Sequence, residues 1–112
     1  MQTINLLELN LPDNFKNDVA EATDILLSKY GGQIKKVILF GSFATGEYQP
    51  DSDIDLCIVL DELPPKKERM SYKHAVQLDN REVDLLYCTK DQLDSNILVY
   101  RWINEEGIVI YE

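Results

Sequence analysis

Hydrophobic positions in the first third of the chain repeat with the period of an α-helix. Beyond Pro12 and Asp13, a pair typical of a helix start, apolar side chains recur every three or four residues along one stripe: Phe15, Val19, Ala22, Leu26 and Tyr30. This spacing matches one face of a helix. Gly31 and Gly32 close it, since glycine is favoured where helices end. The pattern predicts a helix over residues 12–30, preceded by an extended or weakly ordered lead-in over residues 1–11.

Three short apolar runs follow, and each has the length and composition of a β-strand. They cover residues 35–40, 54–60 and 82–88. In the second run, alternate residues are apolar in the order Ile54, Leu56, Ile58 and Leu60. Because successive strand residues point to opposite faces, this alternation predicts one buried face and one face that carries the active groups. Pro64 and Pro65 then break the chain, and a helix is predicted to begin near Lys66.

The final third contains one ambiguous segment and one unusual helix. Over residues 72–80 the pattern fits either a helix or a hairpin into the third strand. A helix is predicted over residues 90–106, with apolar side chains around most of its circumference. It either packs on the sheet beside a strand at residues 108–110, or offers a surface to a partner. Together the elements predict an α/β (α+β) fold, a small mixed sheet flanked by helices.

Length and charge narrow the range of functions. The chain has 112 residues, which predicts one domain over residues 1–112. It contains no run of eighteen apolar residues, and Glu8 interrupts the N-terminal segment, so we expect a cytoplasmic protein without a membrane span. A net charge of −9 argues against nucleic acid as a partner and favours a protein or a basic small molecule. An acidic surface that is merely solvated stays open as the alternative.

Cysteine and histidine add little chemistry. Cys57 and Cys88 fall in predicted strands, which predicts buried free thiols. His74 is the only histidine, and it is predicted to be a surface or strand residue. Catalysis by a Ser-His or Cys-His pair would depend on this one residue, and nothing in the sequence places it near a nucleophile.

The strongest chemical signal is a Gly-Ser pair followed, after ten intervening residues, by two aspartates. Gly41 ends the first apolar run, and Ser42 opens a short helical turn whose free N–H groups favour phosphate. Asp53 and Asp55 are two apart, so both are predicted to point to one face of the second strand. Asp84 interrupts the third strand in the same way. Carboxylates that converge in this manner suit magnesium shared with substrate phosphates.

Each of these features has a simpler explanation when taken alone. Most Gly-Ser pairs are ordinary turns, and an Asp-x-Asp sequence can be a solvated turn that leads into a strand. The combination favours a functional site, because carboxylates at the mouth of a buried strand are costly unless they are paired or bind a metal. Asp84 repeats this anomaly on a second strand.

The motif resembles the signature of the DNA polymerase β nucleotidyltransferase superfamily, and more closely the minimal nucleotidyltransferases. The resemblance implies that ATP lays its β- and γ-phosphates on Gly41 and Ser42. It implies that Asp53 and Asp55 hold two Mg²⁺ ions, and that Asp84 ligates the metal near the acceptor and serves as the general base. The implied acceptor is a tyrosine of a HEPN-type ribonuclease toxin, which this chain would adenylylate as the antitoxin. Thr45 departs from the pattern, since many relatives carry a basic residue there.

Two rival functions follow from the same residues. A small-molecule nucleotidyltransferase of the aminoglycoside-modifying kind would suit an acidic protein, although such relatives generally carry a second domain. A non-catalytic module that silences its toxin by contact alone would suit Thr45, while the three aspartates favour catalysis. The nucleotide base, the acceptor and the oligomeric state, whether with copies of itself or with a partner, stay open.

Overall fold

A mixed β-sheet forms the centre of the fold. The computed structural model describes residues 2–3, 8–69 and 76–112. In that part of the chain the strands lie in the order β1-β5-β2-β3-β4. β2 is antiparallel to both β3 and β5, whereas β3 pairs with β4, and β1 with β5, in parallel. The bounds are β1 Gln2–Thr3, β2 Ile34–Phe40, β3 Ile54–Leu60, β4 Val83–Cys88 and β5 Ile108–Tyr111.

Helices connect and cover these strands, which confirms the predicted α/β class. The bounds are α1 Asp13–Tyr30, α2 Ser42–Thr45, α3 Lys66–Arg69, α4 Lys90–Leu93 and α5 Leu98–Glu106, with a 3-10 turn at Gly31–Gln33. α1 confirms the first prediction, since it ends at Tyr30 and buries the apolar stripe that begins at Phe15. Gly31 takes a φ of 56°, a positive value that favours glycine at the end of a helix. The strands predicted over residues 35–40, 54–60 and 82–88 also fall where predicted, within one residue, as β2, β3 and β4.

Both faces of the sheet are buried, so the prediction of a single buried face is wrong. The first face carries Ile54, Leu56, Ile58 and Leu60 and packs with α1. The second face carries Cys57 and Val59 and is covered by Leu93, Tyr100 and Ile103 of α4 and α5. The alternation along β3 therefore separates two cores, and the acidic groups lie only where the strand begins.

The long helix predicted over residues 90–106 is two helices, α4 and α5. Asp94, Ser95 and Asn96 lie between them, and such side chains compete with helical hydrogen bonding. Ser95 Oγ donates a hydrogen bond to the carbonyl of Gln92 at 2.6 Å, which ends the first helix. Ile97 is then extended, with φ −64° and ψ 134°. Asn104 Nδ2 donates to the carbonyl of Leu93 at 2.8 Å and holds the two helices together.

α5 packs against the sheet, as one of its two alternatives predicts, and it also has an exposed apolar side. Tyr100 and Ile103 are buried against the sheet, and β5 follows as the predicted strand. On the opposite side an apolar patch remains exposed, formed by Ile97, Leu98, Val99 and Trp102. We call these four residues the α5 patch. Leu98, at 77% exposure, is the most exposed of them.

The remaining expectations have mixed outcomes. Residues 76–80 are irregular chain, while His74 and residues 70–75 lie outside the described residues. Cys57 and Cys88 are buried free thiols as predicted, with their Sγ atoms 3.5 Å apart. Within the described ranges, no helix combines the length and the apolar character needed to cross a membrane.

Candidate active site

Gly41 joins β2 to the turn that is predicted to favour phosphate, and it lies against β3, the strand that carries Asp55. It follows β2 with a φ of 73°, a conformation that glycine takes at little cost. A Cβ atom built at this position would lie 2.1 Å from Asp55 Oδ2, well inside contact distance. Any side chain at position 41 would therefore displace the Asp55 carboxylate. The turn and the aspartate are therefore immediate neighbours.

α2 is a single helical turn that presents its N-terminal end beside this contact. Ala44 N and Gly46 N donate to the carbonyls of Gly41 and Ser42, each at 3.0 Å, and Gly46 closes the turn with a φ of 86°. No side chain of the described residues caps the start of α2. Its first backbone N–H groups can therefore bind an anion. Thr45 is exposed at the far end of the turn.

Asp55 and Asp84 are register partners on neighbouring parallel strands. β3 pairs with β4 so that the two aspartates lie side by side. Because paired residues share a face, their carboxylates point the same way. Asp53 lies one residue before β3 and is exposed, so it approaches from the turn rather than from the strand. We call Asp53, Asp55 and Asp84 the acid cluster.

The electrostatics of Asp55 show how closely these groups interact. Burial raises the pKa of the Asp55 carboxyl from 3.8 to about 6, and the charges of Asp84 and Asp53 add to the shift. A hydrogen bond shared with Asp84 raises this pKa further. Every contribution disfavours the ionised form, because negative charge is concentrated in a half-buried place. A divalent cation would reverse that balance.

The acid cluster fits a hard divalent cation in its donor chemistry. Carboxylate oxygens are the ligands that magnesium takes in proteins. As the side chains stand, no three acidic, histidine or cysteine residues of the described ranges form a ready set of metal ligands. The arrangement thus supplies the donors and the negative potential, and a bound ion would have to draw the carboxylates together.

A cleft of about 780 Å³ opens beside two members of the acid cluster. The cleft is lined by Asp51 and Asp53, from the loop before β3, and by residues 76–84, which lead into β4 and include its first two residues. Five of the lining side chains are carboxylates, namely Asp51, Asp53, Asp79, Glu82 and Asp84. A ligand in this cleft would experience a strongly negative potential, which favours a cation or a metal-bound phosphate.

One important residue escaped the sequence reasoning. Arg81 lies three residues before Asp84, and its Nε donates to Asp18 Oδ2 of α1 at 2.9 Å. Only 5% of its side chain is exposed, which is rare for arginine. The signal in the sequence was a lone basic residue among acids at the start of an apolar strand, and such residues are usually solvated.

A glycine-led turn that lies against Asp55, with Asp84 beside it on the next strand, is the arrangement expected of a nucleotidyltransferase. A family model described as a nucleotidyltransferase domain matches residues 19–105. That span covers most of the chain, and the chain belongs to this family. The family membership expected from the motif is therefore confirmed.

Two relatives carry a more specific description. Both come from Methanocaldococcus jannaschii, and each bears the name "putative protein adenylyltransferase". One is 52% identical over 48 residues, which cover 43% of this chain and 48% of the relative. The other is 42% identical over 55 residues, which cover 49% of this chain and 48% of the relative. The matches thus span about half the length of each relative.

A solved structure supports the fold. The crystal structure of a "putative nucleotidyltransferase" from Sulfolobus solfataricus superposes with a TM-score of 0.57. The superposition covers 89% of this chain and 87% of that one, at 18% sequence identity. At that identity the likeness shows the nucleotidyltransferase fold alone.

Proposed function

We propose that this protein transfers AMP from ATP to a hydroxyl group of a partner protein, with magnesium as the metal. The proposed acceptor is a tyrosine of a HEPN-type ribonuclease toxin, so that the protein acts as an antitoxin. Family membership supports the transfer of a nucleotide. The names of the two archaeal relatives support a protein as the acceptor.

The observation that carries the proposal is the contact between Gly41 and Asp55. A Cβ atom at position 41 would come within 2.1 Å of Asp55 Oδ2, and this closeness supports a proposed phosphate site beside the acid cluster. Phosphates on the turn and a cation on the aspartates would then be neighbours. That juxtaposition is what phosphoryl chemistry needs, because its catalysis consists mainly of positioning and charge neutralisation.

Each residue has a defined task in the proposed reaction. The backbone at Gly41 and Ser42 binds the β- and γ-phosphates, and the Ser42 hydroxyl donates one further hydrogen bond. Asp53, Asp55 and Asp84 would hold two magnesium ions, and the bound metal would supply charge neutralisation at the phosphates. The acceptor oxygen forms a bond to the α-phosphorus as the bond to the β-phosphate bridge breaks and pyrophosphate leaves. Asp84 accepts the proton of the hydroxyl.

The α5 patch is the proposed contact for the partner protein. Trp102 is 40% exposed and packs edge-on against Phe40 at 5.7 Å, so its ring is held in place. A groove of about 570 Å³ runs over the patch between Leu98 and Glu105. Exposed aromatic and aliphatic side chains around a groove are typical of an interface centre.

A transfer assay tests the proposal. The protein is incubated with a candidate partner of the HEPN-type toxin class, with ATP labelled at the α-phosphate and with magnesium. We expect the partner to gain the mass of AMP on a hydroxyl side chain. Asp53→Asn should lower the rate by about a hundredfold or more, because it removes a charge from the metal site. Asp61→Asn, at the other end of β3, is the matched control and should transfer normally.

The acidic cleft favours one rival function, namely transfer to a cationic small molecule. Its five carboxylates would attract an amine-rich acceptor such as an aminoglycoside. The same assay separates the two functions when such a molecule replaces the partner protein. Label on the small molecule with none on the protein would contradict the antitoxin proposal, and wild-type activity in Asp53→Asn would contradict nucleotidyl transfer at this site.

A further inference from the structure

Arg81 makes an unusual set of contacts for a residue outside the proposed reaction. Its ion pair with Asp18 is buried, with 5% of the arginine side chain and 9% of the aspartate side chain exposed. Burying two charges is costly, and their attraction repays that cost only when further hydrogen bonds complete the arrangement. The contacts that complete it all lie around the candidate active site.

The first group of contacts fixes the loop that leads into Asp53. Arg81 Nη1 donates to the carbonyl of Ser52 at 2.8 Å and to the carbonyl of Pro50 at 3.1 Å. The loop is also closed on itself, since Gln49 N donates to Ser52 Oγ at 2.7 Å. Ser52 immediately precedes Asp53, so the guanidinium holds the backbone next to this metal-binding candidate.

The second group of contacts reaches the turn that carries Gly41 and Ser42. The guanidinium lies over the ring of Phe43, in α2, at 5.3 Å and over the ring of Phe15 at 4.6 Å. Phe43 in turn stacks on Tyr48, with ring centroids 5.3 Å apart. A planar cation beside two aromatic rings gains both electrostatic and packing energy. One side chain thereby contacts the phosphate turn and the Asp53 loop from its place beside β4.

We propose that Arg81 is a positioning residue, which fixes the distance between the phosphate turn and Asp53. It acts through backbone carbonyls and aromatic rings, and it does not bind the substrate itself. This inference rests on the proposed function. It explains how the phosphate turn, the Asp53 loop and Asp84 keep a fixed arrangement. Arg81 contacts the turn and the loop, lies three residues before Asp84 and is paired with Asp18 of α1.

Replacing Arg81 by lysine tests this role. Lysine keeps the charge opposite Asp18, but its compact ammonium lacks the planar fork that reaches two carbonyls and stacks on rings. We expect the affinity for Mn²⁺, titrated into the metal-free full-length protein by calorimetry, to fall by about tenfold. We expect kcat to fall by about a hundredfold, as for a reacting group displaced by about 1 Å, while the KM for ATP changes by less than about threefold.

A control separates positioning from general stability. Thr23→Val removes a buried hydrogen bond within α1, from Thr23 Oγ1 to the carbonyl of Val19 at 2.8 Å. It should lower the melting temperature without changing Mn²⁺ affinity or kcat. If Arg81→Lys does not fold, the double variant Asp18→Leu with Arg81→Met removes both charges together and should show the same loss of Mn²⁺ affinity.

The outcomes distinguish this inference from the proposed function. A folded Arg81→Lys protein with wild-type Mn²⁺ affinity and kcat would overturn the positioning role. An equal loss of Mn²⁺ affinity and kcat in Thr23→Val would overturn it too. So would wild-type Mn²⁺ affinity in the folded double variant. Failure of the wild-type protein to modify any acceptor would overturn the proposed function instead. The Mn²⁺ titrations would still decide the role of Arg81, because they need no acceptor.

Discussion

Asp55 lies between the glycine turn on one side and Asp84 on the other. Its pairing partner on β2 is Phe40, the residue before Gly41, and its partner on β4 is Asp84. Burial and the neighbouring acids raise its pKa to about 6. In the absence of a cation, the repulsion between Asp55 and the neighbouring acids therefore lowers the stability of the folded protein. Sites that bind charged ligands commonly carry such a cost in stability.

Asp55→Asn should stabilise the metal-free protein at neutral and higher pH. Because the folded-state pKa is raised from 3.8 to about 6, the stabilising contribution of Asp55 is fully present below pH 3.8 and is lost as the pH rises through about 6. The amide removes this pH dependence. After allowance for solvent screening, we expect a gain of about 1–2 kcal/mol in the free energy of unfolding near pH 8.

Urea unfolding between pH 4 and pH 8 measures this effect. The difference between Asp55→Asn and wild type should grow with pH, while Asp61→Asn should show no such trend. Added magnesium should stabilise the wild type and leave Asp55→Asn unchanged, since a ligand stabilises the state to which it binds. A difference that stays constant across the pH range would contradict the crowding of the acid cluster.

At the scale of elements, the site depends on the way the β2–α2 turn presses against β3. Gly41 and Gly46 both take positive φ values, of 73° and 86°. Only Gly41 is also confined by a neighbouring side chain, because nothing lies within 4 Å of a Cβ built at Gly46. A substitution at Gly46 therefore strains only the backbone, whereas a substitution at Gly41 strains the backbone and also contacts the acid cluster.

Gly41→Ala should weaken both stability and ATP binding, whereas Gly46→Ala should affect mainly stability. Each variant strains a left-handed backbone, at a cost of about 1–2 kcal/mol in the free energy of unfolding. Gly41→Ala additionally pushes its Cβ against Asp55 Oδ2 and should lower the affinity for ATP with magnesium by about tenfold or more. Calorimetry on both variants measures the difference, and equal ATP affinities would place the nucleotide elsewhere.

At the scale of the whole molecule, the chemistry and the proposed docking surface lie on different parts of one sheet. The acid cluster sits where β3 and β4 begin, and the α5 patch lies on the outer side of the helix that covers the second face. The chain as a whole carries a net charge of −9. A basic partner would therefore be attracted over a distance, and the apolar patch would act only after contact.

Leu98→Asp should weaken association with the partner protein by about tenfold or more while leaving the fold intact. Leu98 is 77% exposed, so its replacement costs the free protein little, but a charge in an apolar interface must be desolvated. Ser28→Asp, an exposed position on α1, adds the same charge as a control. Surface plasmon resonance measures both variants, and the association rate should fall as salt rises. Equal affinities would exclude the α5 patch from the interface.

Local patterns determined the elements with strong periodicity. The stripe from Phe15 to Tyr30 lies on one face of α1, and the run from Ile54 to Leu60 is β3 to the residue. The break between α4 and α5 was missed because apolar residues on both sides of Asp94 continue the helical period. Periodicity reports which residues are buried, and it does not register a side chain such as Ser95 that ends a helix through its own hydrogen bond.

The sequence by itself determined the family and the fold class and singled out the three aspartates as candidates, because a Gly-Ser turn and acidic residues at strand starts form a recognisable chemical pattern. Tertiary structure alone decided how these parts meet. It paired Asp55 with Asp84 in register, set Gly41 against Asp55 and buried both faces of the sheet. It also turned Arg81 inward to Asp18, 63 residues away in the chain. Contacts between distant segments follow from packing, which no local pattern encodes.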